Sequence, residues 1–337
     1  MRQARSLASA GAERRAVARV AALPINRPLG LGLGPVERRQ PLASPSAPST
    51  SELRRQVACA SSAAAAIQLD EPGSVPAATQ PEPNPLLCKI RAMIFFAWSF
   101  FTAMPLFIGM LVCYPLCLAF DKYKRLIQHT MNNIWATFST GPFYRVTIEG
   151  KENLPPPDRP VVYVANHQSF MDIYSLFHLH RPFKFISKTS NFMIPVIGWS
   201  MFLTGHVMLN RVDRRSQLKC LQQCRELLQN GAPVLFFPEG TRSTDCKLSG
   251  FKKGAFSVAA KAGVDVVPVT LIGTGALMPS GKETSLRPGS VRIVVHKPIP
   301  SAGRDADALC DEARNAIASV LPPDMVKSAT DMLPDEH

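Results

Sequence analysis

Twenty-nine consecutive residues, Ala92 to Phe120, carry no charge and are dominated by Phe, Met, Leu and Ile. About 20 apolar residues span the hydrocarbon core of a bilayer, and a helix of this run would reach ~43 Å, too long for one untilted crossing. Soluble cores rarely use an uncharged run of that length, so the segment is expected to be embedded in a membrane. Pro105 and Pro115 mark places where it can break. Two arrangements fit: one tilted transmembrane helix over roughly 93–113, or two short helices hinged near Pro105 within one leaflet. Lys89 and Arg91 precede the run and Lys122, Lys124 and Arg125 follow it, so the charge bias that orients membrane segments has no clear sign here.

The chain has 337 residues, Lys+Arg 38 against Asp+Glu 25, and a formal net charge of +13. A balance this basic raises the question of nucleic acid. The distribution of the charge answers it. Residues 1–69 hold ten arginines, no lysine, no aspartate and three glutamates (Glu13, Glu37, Glu52), which is +7. That segment is rich in Ala, Ser and Pro, lacks any aromatic residue and has no long apolar run, so it is expected to be disordered in water. Arg-rich, Ser-rich and acid-poor composition reads as an organelle transit peptide, chloroplast in preference to mitochondrion, with small residues for processing around Val57 to Ser61. The remaining +6 belongs to the rest of the chain. The expected organisation is a transit peptide over 1–60, a Pro-rich linker over 61–88, a membrane-embedded helical segment over 89–125, a folded domain over 126–325 and a tail over 326–337.

From about residue 126 short β-branched runs alternate with helical stretches and turn signals, the pattern of an α/β domain. Candidate strands are Val161 to Ala165, Phe183 to Ser187, Val207 to Asn210, Val234 to Phe237, Val264 to Leu271 and Val291 to His296. Most are continuously apolar, as strands buried on both faces are. Helices are expected over 216–229, stopped by Asn230-Gly231, and over about 304–320. The eight cysteines form no framework: Cys88, Cys113 and Cys117 lie in or beside the apolar run, Cys59 lies in the leader, and Cys220 and Cys224 share a helix face without nearby histidines. Free thiols are expected, and no metal site.

Two loops carry candidate chemistry, each following a buried strand. In Asn166-His167-Gln168-Ser169-Phe170-Met171-Asp172 the histidine and aspartate are five apart, ~140° around a regular helix, so they meet only if His167 sits in the turn and Asp172 in the first helical turn. The carboxylate would then take the Nδ1 proton and leave Nε2 as a base, the orienting arrangement of a hydrolytic triad. No nucleophile accompanies the pair, so the substrate must bring one, as in transfer to an alcohol. In Phe237-Pro238-Glu239-Gly240-Thr241-Arg242-Ser243 a carboxylate and a guanidinium share a strand end; Arg242 offers a planar fork for phosphate, and Gly240 admits close approach of a ligand to backbone. Gly205-His206-Val207-Met208-Leu209-Asn210-Arg211 ends with a second arginine that could share the phosphate. Val267-Pro268-Val269 puts proline inside an apolar strand, which points to an edge or a bulge.

The order and spacing of these four blocks resemble the glycerolipid acyltransferases, and most closely their plastid-type 1-acylglycerol-3-phosphate acyltransferases. Asn166, His167 and Asp172 match the first block; Gly205 and Arg211 match the second, with Asn210 where Asp is common; Phe237 to Ser243 match the third and Val267 to Val269 the fourth. The resemblance covers roughly 145–300 and implies an α/β fold, a mixed sheet covered by helices, behind an N-terminal membrane-embedded helical segment. It also implies that His167, oriented by Asp172, deprotonates the sn-2 hydroxyl of lysophosphatidic acid, which attacks an acyl thioester without an acyl-enzyme. In that mechanism Arg211 and Arg242 hold the phosphate, Glu239 positions the hydroxyl or the arginines, Gly240 contributes near the oxyanion, and Thr241 shapes the turn. Asn166, Gly205, Lys188 and Pro268 are further candidates. The thioester, on acyl carrier protein or CoA, is a co-substrate, and no other cofactor is expected. The implied setting is a chloroplast membrane, with the lipid bilayer as partner and no nucleic acid.

Other classes lack their residues. No GxSxG is present for a hydrolase, and Gly281-Lys282 has Ala276 and Glu283 where a phosphate-binding NTPase loop needs Gly and Ser or Thr. The alternatives are a different acceptor, glycerol-3-phosphate or another lysophospholipid, and a non-catalytic, membrane-anchored binder of lipid phosphate.

Overall fold

The computed structural model describes residues 83–327. The expected leader with its processing point, Cys59 and His337 lie outside the described residues. Helix α1 spans Pro85–Phe120. Asn84 caps it by accepting the Leu86 N–H at 2.9 Å, and Pro85 stands at the first helical position, where its missing N–H is harmless. The helix runs unbroken through Pro105 and Pro115, so the break suggested by those prolines does not occur. It is long and apolar enough to cross a membrane. A single stripe, including Ala92, Phe95, Ser99, Phe107 and Met110, is buried, whereas Met93, Phe101 and Val112 are at least 70% exposed.

Asp121 turns the chain, its carboxylate accepting the N–H groups of Lys124 and Leu126. Helix α2, Leu126–Thr140, then returns along α1. The antiparallel register is written in side chains: Gln128 donates to the carbonyl of Met110, Trp135 to that of Ser99, and Trp98 to that of Phe138. The inward face of α2 is polar, with Gln128, His129, Asn132 and Asn133 all buried.

The body is a seven-stranded sheet in the order β1-β7-β6-β2-β5-β3-β4. The strands are β1 Arg145–Glu149, β2 Val162–Ala165, β3 Lys184–Lys188, β4 Val207–Leu209, β5 Val234–Phe236, β6 Val266–Ile272 and β7 Ser290–Val295. β7 pairs antiparallel with β6, and β1 pairs parallel with β7, so these two run against the other five. Each residue of β2 is buried, and alternate residues feed two cores. Tyr163 and Ala165 join Phe95 of α1, Ala136 of α2 and Tyr174 of α3 (Met171–Phe177). Val162 and Val164 join Cys224 and Leu228 of α5 (Arg214–Gln229), Phe256 of α6 (Gly254–Ala262) and Ile317 of α8 (Ala306–Ala318). Helices therefore cover both faces, which is why the strands read as continuous apolar runs. Full burial of a side chain such as Leu228 contributes about 1.5–3 kcal/mol. Two short helices, α4 (Ile197–Thr204) and α7 (Thr274–Leu277), complete the set.

Pro268 lies in β6, an interior strand, paired with Val164 of β2. It is tolerated because the neighbour on the other side is irregular. The register moves from Val269 opposite Val295 to Val266 opposite Ile299, one residue longer on the partner, and the His296 N–H reaches the Pro268 carbonyl. That is a bulge rather than an edge.

Candidate active site

β2, β5, β3 and β4 are neighbours and run parallel, so the loops leaving their carboxyl ends converge on one rim of the sheet. Ligand sites in open α/β sheets form at such a rim. A cavity of about 900 Å³ opens there. Its polar lining comes from those loops: His167 after β2, Lys188 ending β3, Arg211 after β4, and Gly240 and Arg242 after β5. Its apolar lining comes from the helices, with Phe107 of α1, Trp135 of α2, Tyr174 and Phe177 of α3, and Met201 of α4.

His167 stands in the turn after β2, and Asp172 is the second residue of α3. Their side chains meet, Nδ1 to Oδ2 at 2.8 Å. The same oxygen accepts the N–H groups of Gln168 at 2.7 Å and Ser169 at 2.9 Å, so three donors fix the carboxylate, which is fully buried. A carboxylate oxygen only accepts, so Nδ1 carries the proton and Nε2 keeps its lone pair, on a residue that lines the cavity. The Phe237 ring stacks on the imidazole with centroids 3.9 Å apart. The ring is thereby held by a hydrogen bond at one edge and an apolar plate on one face.

The backbone of His167 is clasped as well. Its N–H donates to Glu239 Oε1 at 2.7 Å, and its carbonyl accepts the Ser243 N–H at 2.8 Å. Glu239 Oε2 accepts both the Ser249 N–H at 3.1 Å and the Ser249 hydroxyl at 2.8 Å. Burial pushes the Glu239 carboxyl above the ordinary carboxylate range, against the opposing pull of those donors. Glu239 thus points at backbone, contacts neither arginine and is not part of the cavity wall. The expected contact with the arginines is not the arrangement found. Ser249 and the stacking face of Phe237 were not legible as parts of the site.

Gly240 has φ +82, which excludes a side chain without strain, and the Lys252 ammonium lies 2.8 Å from where a Cβ would stand. The Gly240 N–H is engaged with the Phe237 carbonyl at 3.0 Å, so this amide does not face a ligand. Arg242 reaches the cavity and pairs with Glu283, Nη1 to Oε1 at 2.7 Å. Arg211 and Lys188 are exposed on the cavity wall. Asn210 makes an Asx turn, its Oδ1 accepting the Val212 N–H, a task an Asp at that position would also perform. Lys252 and Glu283 are charged groups of the cavity that the motifs did not include.

Besides Asp172 and Glu239, four further candidates lie away from the cavity wall. Asn166 is fully buried and staples its loop to β6, donating to the Leu271 carbonyl and accepting the Leu271 N–H. Gly205 ends α4 with φ +81 and sits against the Arg125 guanidinium, which in turn donates to the carbonyls of Phe202 and Leu203. Thr241 is exposed on its turn, and Pro268 marks the bulge in β6. Among the described residues, no cluster of His, Cys, Asp and Glu could hold a metal ion.

Residues 145–272 match the family model described as Acyltransferase. Over 334 residues the chain is 66% identical to a 1-acyl-sn-glycerol-3-phosphate acyltransferase of Chlamydomonas reinhardtii, covering 98% of both chains. It is 49% identical over 276 residues to a chloroplastic 1-acyl-sn-glycerol-3-phosphate acyltransferase of Arabidopsis thaliana, covering 81% of this chain and 75% of that one. The crystal structure of the 1-acyl-sn-glycerophosphate acyltransferase of Thermotoga maritima matches with a TM-score of 0.58 and 30% identity, over 69% of this chain and 97% of that chain. Identity sustained along nearly the whole length of a named relative, on a fold whose parallel-strand rim carries the matching blocks, places this chain in the 1-acyl-sn-glycerol-3-phosphate acyltransferase family.

Proposed function

We propose that this protein transfers an acyl group from a thioester to the sn-2 hydroxyl of 1-acylglycerol-3-phosphate, forming phosphatidic acid. The observation that carries the reading is the His167–Asp172 pair, its histidine on the wall of a cavity that is cationic at the strand ends and apolar along the helices. His167 Nε2 removes the proton of the acceptor hydroxyl as its oxygen attacks the thioester carbonyl. The imidazolium, stabilised by Asp172, returns that proton to the departing thiolate as the tetrahedral intermediate collapses. Atoms and charge balance without a further cofactor.

Arg211 and Arg242 hold the acceptor phosphate, and Lys188 and Lys252 add to the positive potential. With the Gly240 amide engaged in its turn, the amides of Thr241 and Arg242, which donate to no acceptor among the described residues, are the backbone donors for the oxyanion. Glu239 acts on catalysis through the His167 backbone. The apolar wall takes acyl chain. The exposed apolar residues of α1, with Phe138 of α2 and Trp199 and Phe202 of α4, form the surface that meets the bilayer from which the acceptor comes. The chloroplastic relative favours a plastid membrane as the site of action.

The test is an assay of the purified chain that crosses lysophosphatidate and glycerol-3-phosphate with acyl carrier protein and CoA thioesters. Lysophosphatidate should be acylated and glycerol-3-phosphate should not, and His167→Ala should abolish transfer in a folded protein. Binding of lysophosphatidate without turnover by the wild-type chain would leave only the reading of a lipid-phosphate binder.

A further inference from the structure

The strand-end part of the cavity wall holds four cations, Lys188, Arg211, Arg242 and Lys252, and one carboxylate, Glu283. A negative charge beside groups assembled for a phosphate weakens the field they make, so its presence calls for a physical reason. Its contacts supply one. Glu283 Oε1 accepts Arg242 Nη1 at 2.7 Å, and among the described residues this is the only acceptor the guanidinium has. One N–H of five is used, so the rest of the fork stays open. The same oxygen accepts the Gly281 N–H at 3.2 Å, which aims the carboxylate.

The segment that carries Glu283 is itself fixed. Lys282 N–H reaches the Pro279 carbonyl and Ser285 N–H the Lys282 carbonyl, each at 3.0 Å, so two turns follow one another. Leu286 is buried, and its N–H donates to the carbonyl of Cys88 in the first turn of α1, while the Arg287 N–H donates to the Leu277 carbonyl. Burial pushes the Glu283 carboxyl up, but its own and the Gly281 N–H groups together with Arg242 outweigh it and hold it below the ordinary carboxylate range. It therefore stays charged at neutral pH.

The geometry points to Glu283 as a positioning residue for acceptor recognition: it pins Arg242 by one N–H so that the open edge of the guanidinium faces the cavity for the phosphate of the acceptor. An arginine side chain left to rotate loses rotamer freedom when it binds, and a tethered one has already lost it. The inference rests on the acyl-transfer reading above, in which Arg242 binds the acceptor phosphate. Glu283 lies outside the four sequence blocks and beyond the 145–272 span of the family match.

The experiment is steady-state kinetics of the purified full chain with lysophosphatidate and an acyl thioester, for E283A, E283Q, R242A and the E283A/R242A double variant. E283A should raise KM for lysophosphatidate about tenfold, the size of one lost charge-assisted contact, with kcat and the thioester KM unchanged. E283Q keeps an oxygen acceptor and should stay within about threefold of wild type. In the R242A background E283A should have no further effect, because Glu283 acts through Arg242. A lower acceptor KM in E283A would show that the carboxylate competes with phosphate, and an unchanged KM or an additive effect in R242A would equally overturn the proposal. An R242A variant with normal acceptor KM would instead remove the phosphate role on which the inference stands.

Discussion

Replacing Asp172 by Asn separates the two tasks the carboxylate performs. Three donors converge on one oxygen, His167 Nδ1 and the N–H groups of Gln168 and Ser169, while the other oxygen, Oδ1, has no hydrogen-bond partner among the described residues. An asparagine satisfies those donors only with its carbonyl oxygen in the Oδ2 place, so the tautomer of His167 is retained and its amino group occupies the Oδ1 site without an acceptor. An unsatisfied buried donor costs about 1–3 kcal/mol. For a body of this size that is a fall in Tm of about 2–12 °C. The kinetic effect comes from the missing charge. An imidazolium about 4 Å from a carboxylate, at an effective dielectric of about 20, is favoured by about 4 kcal/mol, and a neutral hydrogen bond recovers about 1. A deficit near 3 kcal/mol lowers kcat about a hundredfold, and up to a thousandfold if little is recovered. KM for both substrates should move by less than about threefold, since Asp172 is buried and meets neither substrate. Initial rates with lysophosphatidate and an acyl thioester, alongside a thermal melt, make the measurement. A folded Asp172→Asn protein retaining half of the wild-type kcat would refute the orienting and charge-stabilising role.

The clasp on the His167 backbone predicts that Glu239→Gln lowers kcat more than it raises acceptor KM. One amide oxygen cannot accept from both His167 and Ser249, so about one buried donor is orphaned. A rise confined to acceptor KM would restore the direct substrate contact. Lys184 is fully buried, donates to the Lys124 carbonyl, and is held at a pKa of about 7, from an ordinary 10.5, by burial and then by Arg125. Its folded pKa lies below its unfolded one, so its charging opposes folding most below pH 7, and that penalty fades as pH rises towards 10.5. Lys184→Met should therefore raise Tm at pH 6–7 and flatten the rise between pH 7 and 9, seen by calorimetry; an unaltered pH profile would contradict it. Burial lowers the pKa of His178 to about 4, and that of His129 and His206 as well. Stability present above pH 6.5 should be lost as pH falls from 6.5 towards 4, a window a pH series of melts will show.

Much of the body was readable because buried parallel strands advertise themselves. β2 and β6 are apolar at nearly every position, and a resolved helix pattern with an Asn-Gly stop marked α5. β1 was not readable: Arg145–Glu149 alternates exposed and half-buried residues on a sheet edge, too short a pattern to separate from a loop. α2 escaped for another reason. Its inward face is Gln128, His129, Asn132 and Asn133, so it lacks the apolar period that announces a packed helix. In the site, the five-residue spacing of His167 and Asp172 set the one placement in which they could meet, a turn followed by the first helical turn, and the structure has that placement. The direction of Glu239 was not derivable, because a sequence shows a carboxylate beside an arginine and not the amide across the turn that it meets. Glu283 arrives from a segment distant in the chain, the turn before β7, and Lys252 from the loop that leads from the third block into α6, outside every motif.

The central claim is that the acceptor hydroxyl, deprotonated by His167, attacks the thioester directly. The cavity wall also carries a thiol, Cys220, and several serine hydroxyls, so a covalent route would have side chains to use. Intact-protein mass spectrometry of the purified chain mixed with an acyl thioester, before and after lysophosphatidate is added, tests this most directly. The account predicts unmodified protein at every time point, phosphatidic acid appearing only with acceptor, and none from His167→Ala. An acylated protein that forms without acceptor and is consumed when lysophosphatidate arrives would contradict it.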